Sequence, residues 1–132
     1  MTPTVLVVGG DAQVRRTAAG IIEEAELSCV EAASAEDALA YLREHAPDIQ
    51  LIFTDFELPD RLDGIDLARV AALRWPWIKA VVITGGPRLR DVPSNVIFLP
   101  KVWGAADLRE QLRWVPFSLE ASKRQEQGRT AA

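Results

Sequence analysis

The sequence predicts a three-layer α/β domain, a parallel five-stranded sheet with helices on both faces. Three observations carry that expectation. Short apolar runs rich in β-branched residues recur along the chain, at Thr4 to Val8, Cys29 to Ala32, Leu51 to Thr54, Lys79 to Thr84 and Val96 to Leu99. Segments with helical spacing separate most of them, and strands alternating with helices build a parallel sheet through right-handed crossovers. The runs are also apolar at consecutive positions rather than alternate ones, which suits strands covered on both faces.

Taken in order, the first strand, TVLVV, stops at Gly9, Gly10 and Asp11. From Ala12 to Glu26 the residues Val14, Ala18, Ile21, Ile22 and Ala25 are spaced for burial on one helix face. Arg15, Arg16, Glu23 and Glu24 fall on the solvated side. After the second strand, Ser34 is an N-cap candidate, with Asp37 placed three residues on to complete a capping box. That helix turns Ala38, Leu39 and Leu42 inward and ends near His45, before Pro47. His45, the only histidine, has no partner at a catalytic or metal-binding spacing and is expected at a solvated helix end.

The third strand stops on a carboxylate, Asp55, just before a Leu58-Pro59-Asp60 turn. A helix over 64–74 follows, with Ile65, Val70 and Leu73 spaced for burial. The fourth strand ends on Thr84, and the fifth is followed by Pro100 and Lys101. A last helix from about Ala105 to Val115 buries Leu108, Leu112 and Val115, and Pro116 ends it. Residues 1–116 thus form one domain. Residues 117–132 are a mostly polar tail, either frayed or ordered by a partner. Five βα units in this length make a flavodoxin-like sandwich. One unit is short: the eleven residues between Thr84 and Val96 include Gly85, Gly86, Pro87 and Pro93, so the fourth helix is expected to be reduced to a turn or missing.

Composition narrows the function classes. Hydrophobic residues make up 48% and charged residues 26% of 132 residues, which is ordinary for a globular chain. The net charge of −4 argues against a nucleic-acid partner, because phosphate contact needs a basic face. No apolar run approaches the roughly 20 residues needed to span a bilayer, and the N-terminus lacks the basic-then-apolar pattern of a signal peptide. The single cysteine, Cys29, permits no internal disulfide and reads as a small core residue. These features point to a soluble cytoplasmic protein with no membrane association.

In a parallel sheet the C-terminal strand ends share one edge, where open α/β sheets bind their ligands. That edge collects Asp55, Thr84 and Lys101, with Gly9 to Asp11 beside them. A carboxylate, a hydroxyl and an ammonium together could accept and hold a phosphoryl group. The carboxylate is the nucleophile, and the other two donate hydrogen bonds to the phosphoryl oxygens. Each residue alone is equally well explained as a cap or a surface charge; the joint placement favours chemistry.

Over residues 4 to about 115 the chain resembles the receiver domain of bacterial response regulators. The residues that carry the resemblance are VLVV in the first strand, TDFELPDRLDGIDL around Asp55, VVITG ending on Thr84 and FLPK ending on Lys101. The resemblance implies that Asp55 takes a phosphoryl group from a histidine kinase or histidine phosphotransferase. It implies further that Thr84 moves toward that group, that Lys101 contacts it and that Phe98 swings inward in concert. Such a protein is not itself an enzyme. It is expected to stand alone, without an output domain, and to signal through a downstream protein or by forming a homodimer.

The chain departs from that pattern in three places. Receivers follow the first strand with two acidic residues that bind Mg²⁺, and here Gly9 and Gly10 replace them. The default ligands are then Asp55, the backbone carbonyl of Glu57 and water, with Asp11 or the Glu57 side chain as substitutes, so Mg²⁺ binding is expected to be weak or absent. Val102 replaces the usual proline after the lysine, which disfavours a cis peptide by about 3–4 kcal/mol. The shortened fourth unit alters the face that docks partners, near Trp103 and Trp114; with Trp75 and Trp77 these make four tryptophans, in interfaces or simply packed on helices.

Two alternatives remain. The domain could be a pseudo-receiver whose contacts do not depend on phosphate. Alternatively, VLVVGGD could open a nucleotide- or flavin-binding site, with Glu31 at the place of a ribose ligand; the G-x-G-x-x-G fingerprint is absent, however, because Val14 occupies its last position.

Overall fold

A computed structural model describes residues 3–85, 96–101 and 103–113. The expected reduction of the fourth helix, the Val102 peptide, Trp114, Val115 and the tail over 117–132 lie outside the described residues. Five strands, β1 (Thr4–Val8), β2 (Ser28–Ala32), β3 (Ile49–Asp55), β4 (Lys79–Thr84) and β5 (Val96–Pro100), form one sheet in the order β2-β1-β3-β4-β5. Every neighbouring pair is parallel. Among the described residues the helices are α1 (Ala12–Glu24), α2 (Ala35–His45), α3 (Gly64–Arg74) and α4 (Ala105–Leu112), with a 3₁₀ turn over Ala46–Asp48. No helix among the described residues is long and apolar enough to cross a membrane.

The uniformly apolar strands are explained by two cores, one on each face of the sheet. Side chains alternate between faces along a strand. Val5, Val7, Leu51, Phe53, Val81 and Ile83 pack with Ile21, Ile22, Leu108 and Leu112 under α1 and α4. Leu6, Val8, Ile49 and Ile52 pack with Leu39, Leu42, Leu67 and Ala71 under α2 and α3. A smaller cluster of Ile65, Ala68, Ala80 and Val82 extends the second core, with Phe56, Val96 and Phe98 against it.

Several expectations change in three dimensions. Leu73 is 85% exposed, because the α3 stripe that faces the sheet is Ile65, Leu67, Ala68 and Ala71. Val14 is 38% exposed rather than inward. His45 is half-buried, with its ring stacked on Tyr41 at a centroid distance of 4.2 Å. Ser34 accepts from the Asp37 N–H at 3.1 Å, which is one arm of the expected capping box. The other contribution comes from far along the chain: Asp60 accepts from the Ala35 N–H at 3.3 Å and the Glu36 N–H at 2.7 Å. A complete box forms instead at α3, where Asp63 and Asp66 each accept from the other's backbone N–H, at 2.8 and 3.0 Å.

Trp75 packs against the core beneath α2 and α3, and Trp103 against the core beneath α1 and α4. Trp77 is 49% exposed and donates its indole N–H to the Ala46 carbonyl at 3.2 Å.

Candidate functional site

Strand parity decides what meets at the C-terminal edge. Gly9 continues the row of Val5 and Val7, Asp55 that of Leu51 and Phe53, and Lys101 that of Ile97 and Leu99, all on the side of α1 and α4. Thr84 continues the row of Ala80 and Val82, toward α3. Asp55 and Lys101 accordingly line one cleft of about 690 Å³, together with Asp11, Gln13, Val14, Thr17, Ile21, Trp103 and Ala105. Thr84 is half-buried at the same edge, opposite Pro100 in the ladder, and is not part of that lining. Phe98 lies half-buried on the α3 side, packed like Phe56 against the Ile65, Ala68, Ala80 and Val82 cluster.

The backbone around Asp55 is fixed from three directions. The Phe56 N–H donates to the Ile83 carbonyl at 2.7 Å, and the Thr54 hydroxyl donates to the Asp55 carbonyl at 2.9 Å. The Gly64 N–H donates to the Phe56 carbonyl at 2.7 Å, which draws the start of α3 onto β3. A Cβ at Gly64 would overlap the Asp55 carbonyl oxygen, so only glycine permits that approach.

The carboxyl of Asp55 titrates above the ordinary carboxylate range. Partial burial is the main cause; Lys101 pulls the value down, while Asp11 and Glu57 push it up. Burial, followed by the nearby Glu31 and Glu23, pushes the Cys29 thiol up to about 12. The thiolate is then not populated at neutral pH, which removes Cys29 as a nucleophile.

The residues present do not build a metal cage. Among the described residues, no three of His, Cys, Asp and Glu gather as a metal would require. Asp11 is the N-cap of α1, its Oδ1 accepting from the Gln13 and Val14 N–H groups at 2.8 and 3.3 Å. Glu57 is exposed. The Asp11 cap also answers the nucleotide reading, since a carboxylate of the chain itself already takes the N–H groups at that helix terminus that a phosphate would need. Glu31 pairs with Arg15 Nε at 3.2 Å.

Arg15 is the residue that sequence reasoning missed. It was expected on the solvated face, yet its side chain is 17% exposed and its Nη1 donates to the Gly9 carbonyl at 2.6 Å. No local pattern could have found it, because its partners lie at the ends of two adjacent strands. Val14, Trp103 and the cleft wall were equally invisible to helical periodicity. The shared parity of Gly9, Asp55 and Lys101, by contrast, can be counted from the strand boundaries alone.

The family model described as the response regulator receiver domain matches residues 5–113. A comparison with curated proteins gives no match. Among solved structures, the chain is similar to a response regulator receiver domain protein from Clostridium thermocellum, at 19% identity and TM-score 0.79, covering 90% of this chain and 98% of that one. A CheY-like receiver domain protein from Methanospirillum hungatei is 21% identical, with TM-score 0.77 and coverage of 95% and 99%. The receiver domain of the hybrid histidine kinase CckA is 28% identical, with TM-score 0.73 and coverage of 84% and 96%. Receiver domains interact with histidine kinases or phosphotransferases and with downstream effectors, and they typically bind Mg²⁺ in an acidic pocket. On the matched span and the five-stranded parallel architecture, this chain belongs to the response regulator receiver domain family.

Proposed function

We propose that Asp55 accepts a phosphoryl group from a histidine kinase or histidine phosphotransferase, and that the domain signals through protein contacts rather than as an enzyme. The observation that carries this reading is the placement of Asp55 at the end of the central strand, in a cleft it shares with Lys101. A carboxylate oxygen of Asp55 attacks phosphorus, the P–N bond to the donor imidazole breaks, and the imidazole leaves with its electron pair. The Lys101 ammonium supplies positive charge to the phosphoryl oxygens as charge spreads over them. Thr84 and Phe98 form the switch: after transfer, Thr84 turns from the α3 side toward the phosphoryl group, and Phe98 packs into the space beside Phe56 and Ile65. Phe98 has no hydroxyl, so packing is its only means of reporting the change. The downstream partner is a protein or a second copy of the chain, and the reaction takes place in the cytoplasm.

A second reading has its own support. Gly9 and Gly10 supply no carboxylate, and Asp11 is engaged as a cap, so a pseudo-receiver acting without phosphate is the competing function. Intact-mass measurement after incubation with acetyl phosphate and Mg²⁺, and separately with a phosphorylated cognate kinase, separates the two. A gain of one phosphoryl group that Asp55→Asn abolishes supports phosphotransfer. No gain with either donor supports the pseudo-receiver.

A further inference from the structure

Gly9 faces the Asp55 carboxylate at close range. A Cβ built on Gly9 would lie 2.7 Å from Asp55 Oδ2, nearer than real Cβ contacts come, and 3.9 Å from the Arg15 Cγ. The carboxylate oxygen therefore occupies the place that any side chain at residue 9 would need. At residue 10 a Cβ fits: it would meet only the Pro59 ring, in ordinary van der Waals contact at 3.6 and 3.9 Å.

The Gly9 backbone has little room to withdraw. Its N–H donates to the Ala32 carbonyl at 3.0 Å, and its own carbonyl accepts from Arg15 Nη1 at 2.6 Å. Arg15 is in turn held by Glu31 at 3.2 Å. The Asp55 backbone is equally fixed, through Thr54, Phe56 and the β3–β4 ladder. When two backbones are pinned and one volume is contested, the free coordinate is the rotation of the Asp55 side chain.

We propose that Gly9 is a positioning residue for Asp55: its missing side chain is the seat in which the carboxylate rests against β1, and the Arg15–Glu31 pair keeps that seat in place. The carboxylate, which lines the cleft with Lys101, has two positions, one laid back against Gly9 and one turned off it toward Lys101. Glycine at residue 9 permits the first, and any larger residue enforces the second. This inference rests on the phosphoacceptor reading only for its effect on reactivity; the position of the carboxylate stands apart from it.

The test reads position and reactivity separately. Three-bond couplings from the Asp55 backbone nitrogen and carbonyl carbon to its side-chain Cγ report χ1 in the wild type, Gly9→Ala and Gly10→Ala. The wild type should show the laid-back rotamer, Gly10→Ala the same one, and Gly9→Ala a different one. Acetyl phosphate should label Gly9→Ala about five-fold faster than the wild type, because the nucleophile is already presented to the cleft. A rotamer turned toward Lys101 in the wild type, or an unchanged rotamer in folded Gly9→Ala, overturns the proposal. The wild-type couplings decide it even if Gly9→Ala does not fold. If the rotamer shifts but no protein is labelled, the positioning role stands and the phosphoacceptor reading fails.

Discussion

Two loops border the Asp55 carboxylate at the same sheet edge, and they are built on opposite principles. The loop from β3 to α3 is dense with mutual contacts. Gly64 lies against the Asp55 carbonyl, Asp63 and Asp66 cap α3, and Asp60 reaches across to cap α2. The loop from β1 to α1 is emptied: two glycines follow the strand, and its one acid is spent on the helix terminus. The first loop fixes where the Asp55 backbone sits, while the second leaves room for its side chain. The chain thus keeps the receiver scaffold and its strand-end carboxylate while the first loop carries two glycines, because separate loops hold the Asp55 backbone and border its side chain.

The largest test of that contrast is Gly64→Ala. The added Cβ meets backbone rather than a flexible side chain, so we expect a loss of about 3 kcal/mol or more in urea unfolding. Gly10→Ala, in the emptied loop, should lie within about 0.5 kcal/mol of the wild type. Equal effects at the two glycines would erase the distinction between the loops.

Gly10→Asp sharpens it from the other side. A Cβ fits at residue 10 against the Pro59 ring, and the carboxylate it carries is expected to join Asp55 and the Glu57 carbonyl as a third oxygen source. Saturating Mg²⁺ should then stabilise Gly10→Asp by about 2 kcal/mol in thermal unfolding, with a much smaller effect on the wild type. The edge-to-face contact of Trp103 on Phe53, in the cleft wall, provides a fluorescence readout of the same titration.

Asp60→Ala removes the cap that the dense loop lends to α2. The expected cost is about 1 kcal/mol, because Ser34 still serves one N–H group.

The smallest effect concerns charge. The folded state holds the Asp55 proton more tightly than the unfolded chain, whose reference value is 3.8. As pH rises from there through the raised value, the unfolded state releases its proton first, and stability falls. Asp55→Asn lacks this dependence. Its melting temperature should therefore rise relative to the wild type as pH climbs above about 4 through the raised value, by about 2 °C. A difference of the opposite sign would mean that Lys101 outweighs burial at Asp55.

Much of this was readable from residue order. β4 and α3 match their expected bounds because strong punctuation surrounds them: Trp75, Pro76 and Trp77 separate the two, and Asp63 with Gly64 opens the helix. Asp55 was legible as a carboxylate ending an apolar strand, and Lys101 as its counterpart two strands away, across β4. What periodicity could not resolve was how far each helix overlaps the sheet. Leu73 lies on the side of α3 turned away from the stripe that Ala71 continues, and Val14 faces a cleft rather than a core. The Arg15 clamp and the Asp60 cap join residues whose neighbourhood exists only after the strands are ordered, so no local signal encodes them.

The central claim, that Asp55 is the phosphoacceptor of a receiver whose first loop has been emptied, is tested most directly by intact mass after exposure to a phosphorylated histidine kinase. The account predicts a gain of one phosphoryl group in the wild type and none in Asp55→Asn. An unchanged mass in both, with a kinase that phosphorylates another receiver under the same conditions, would contradict it.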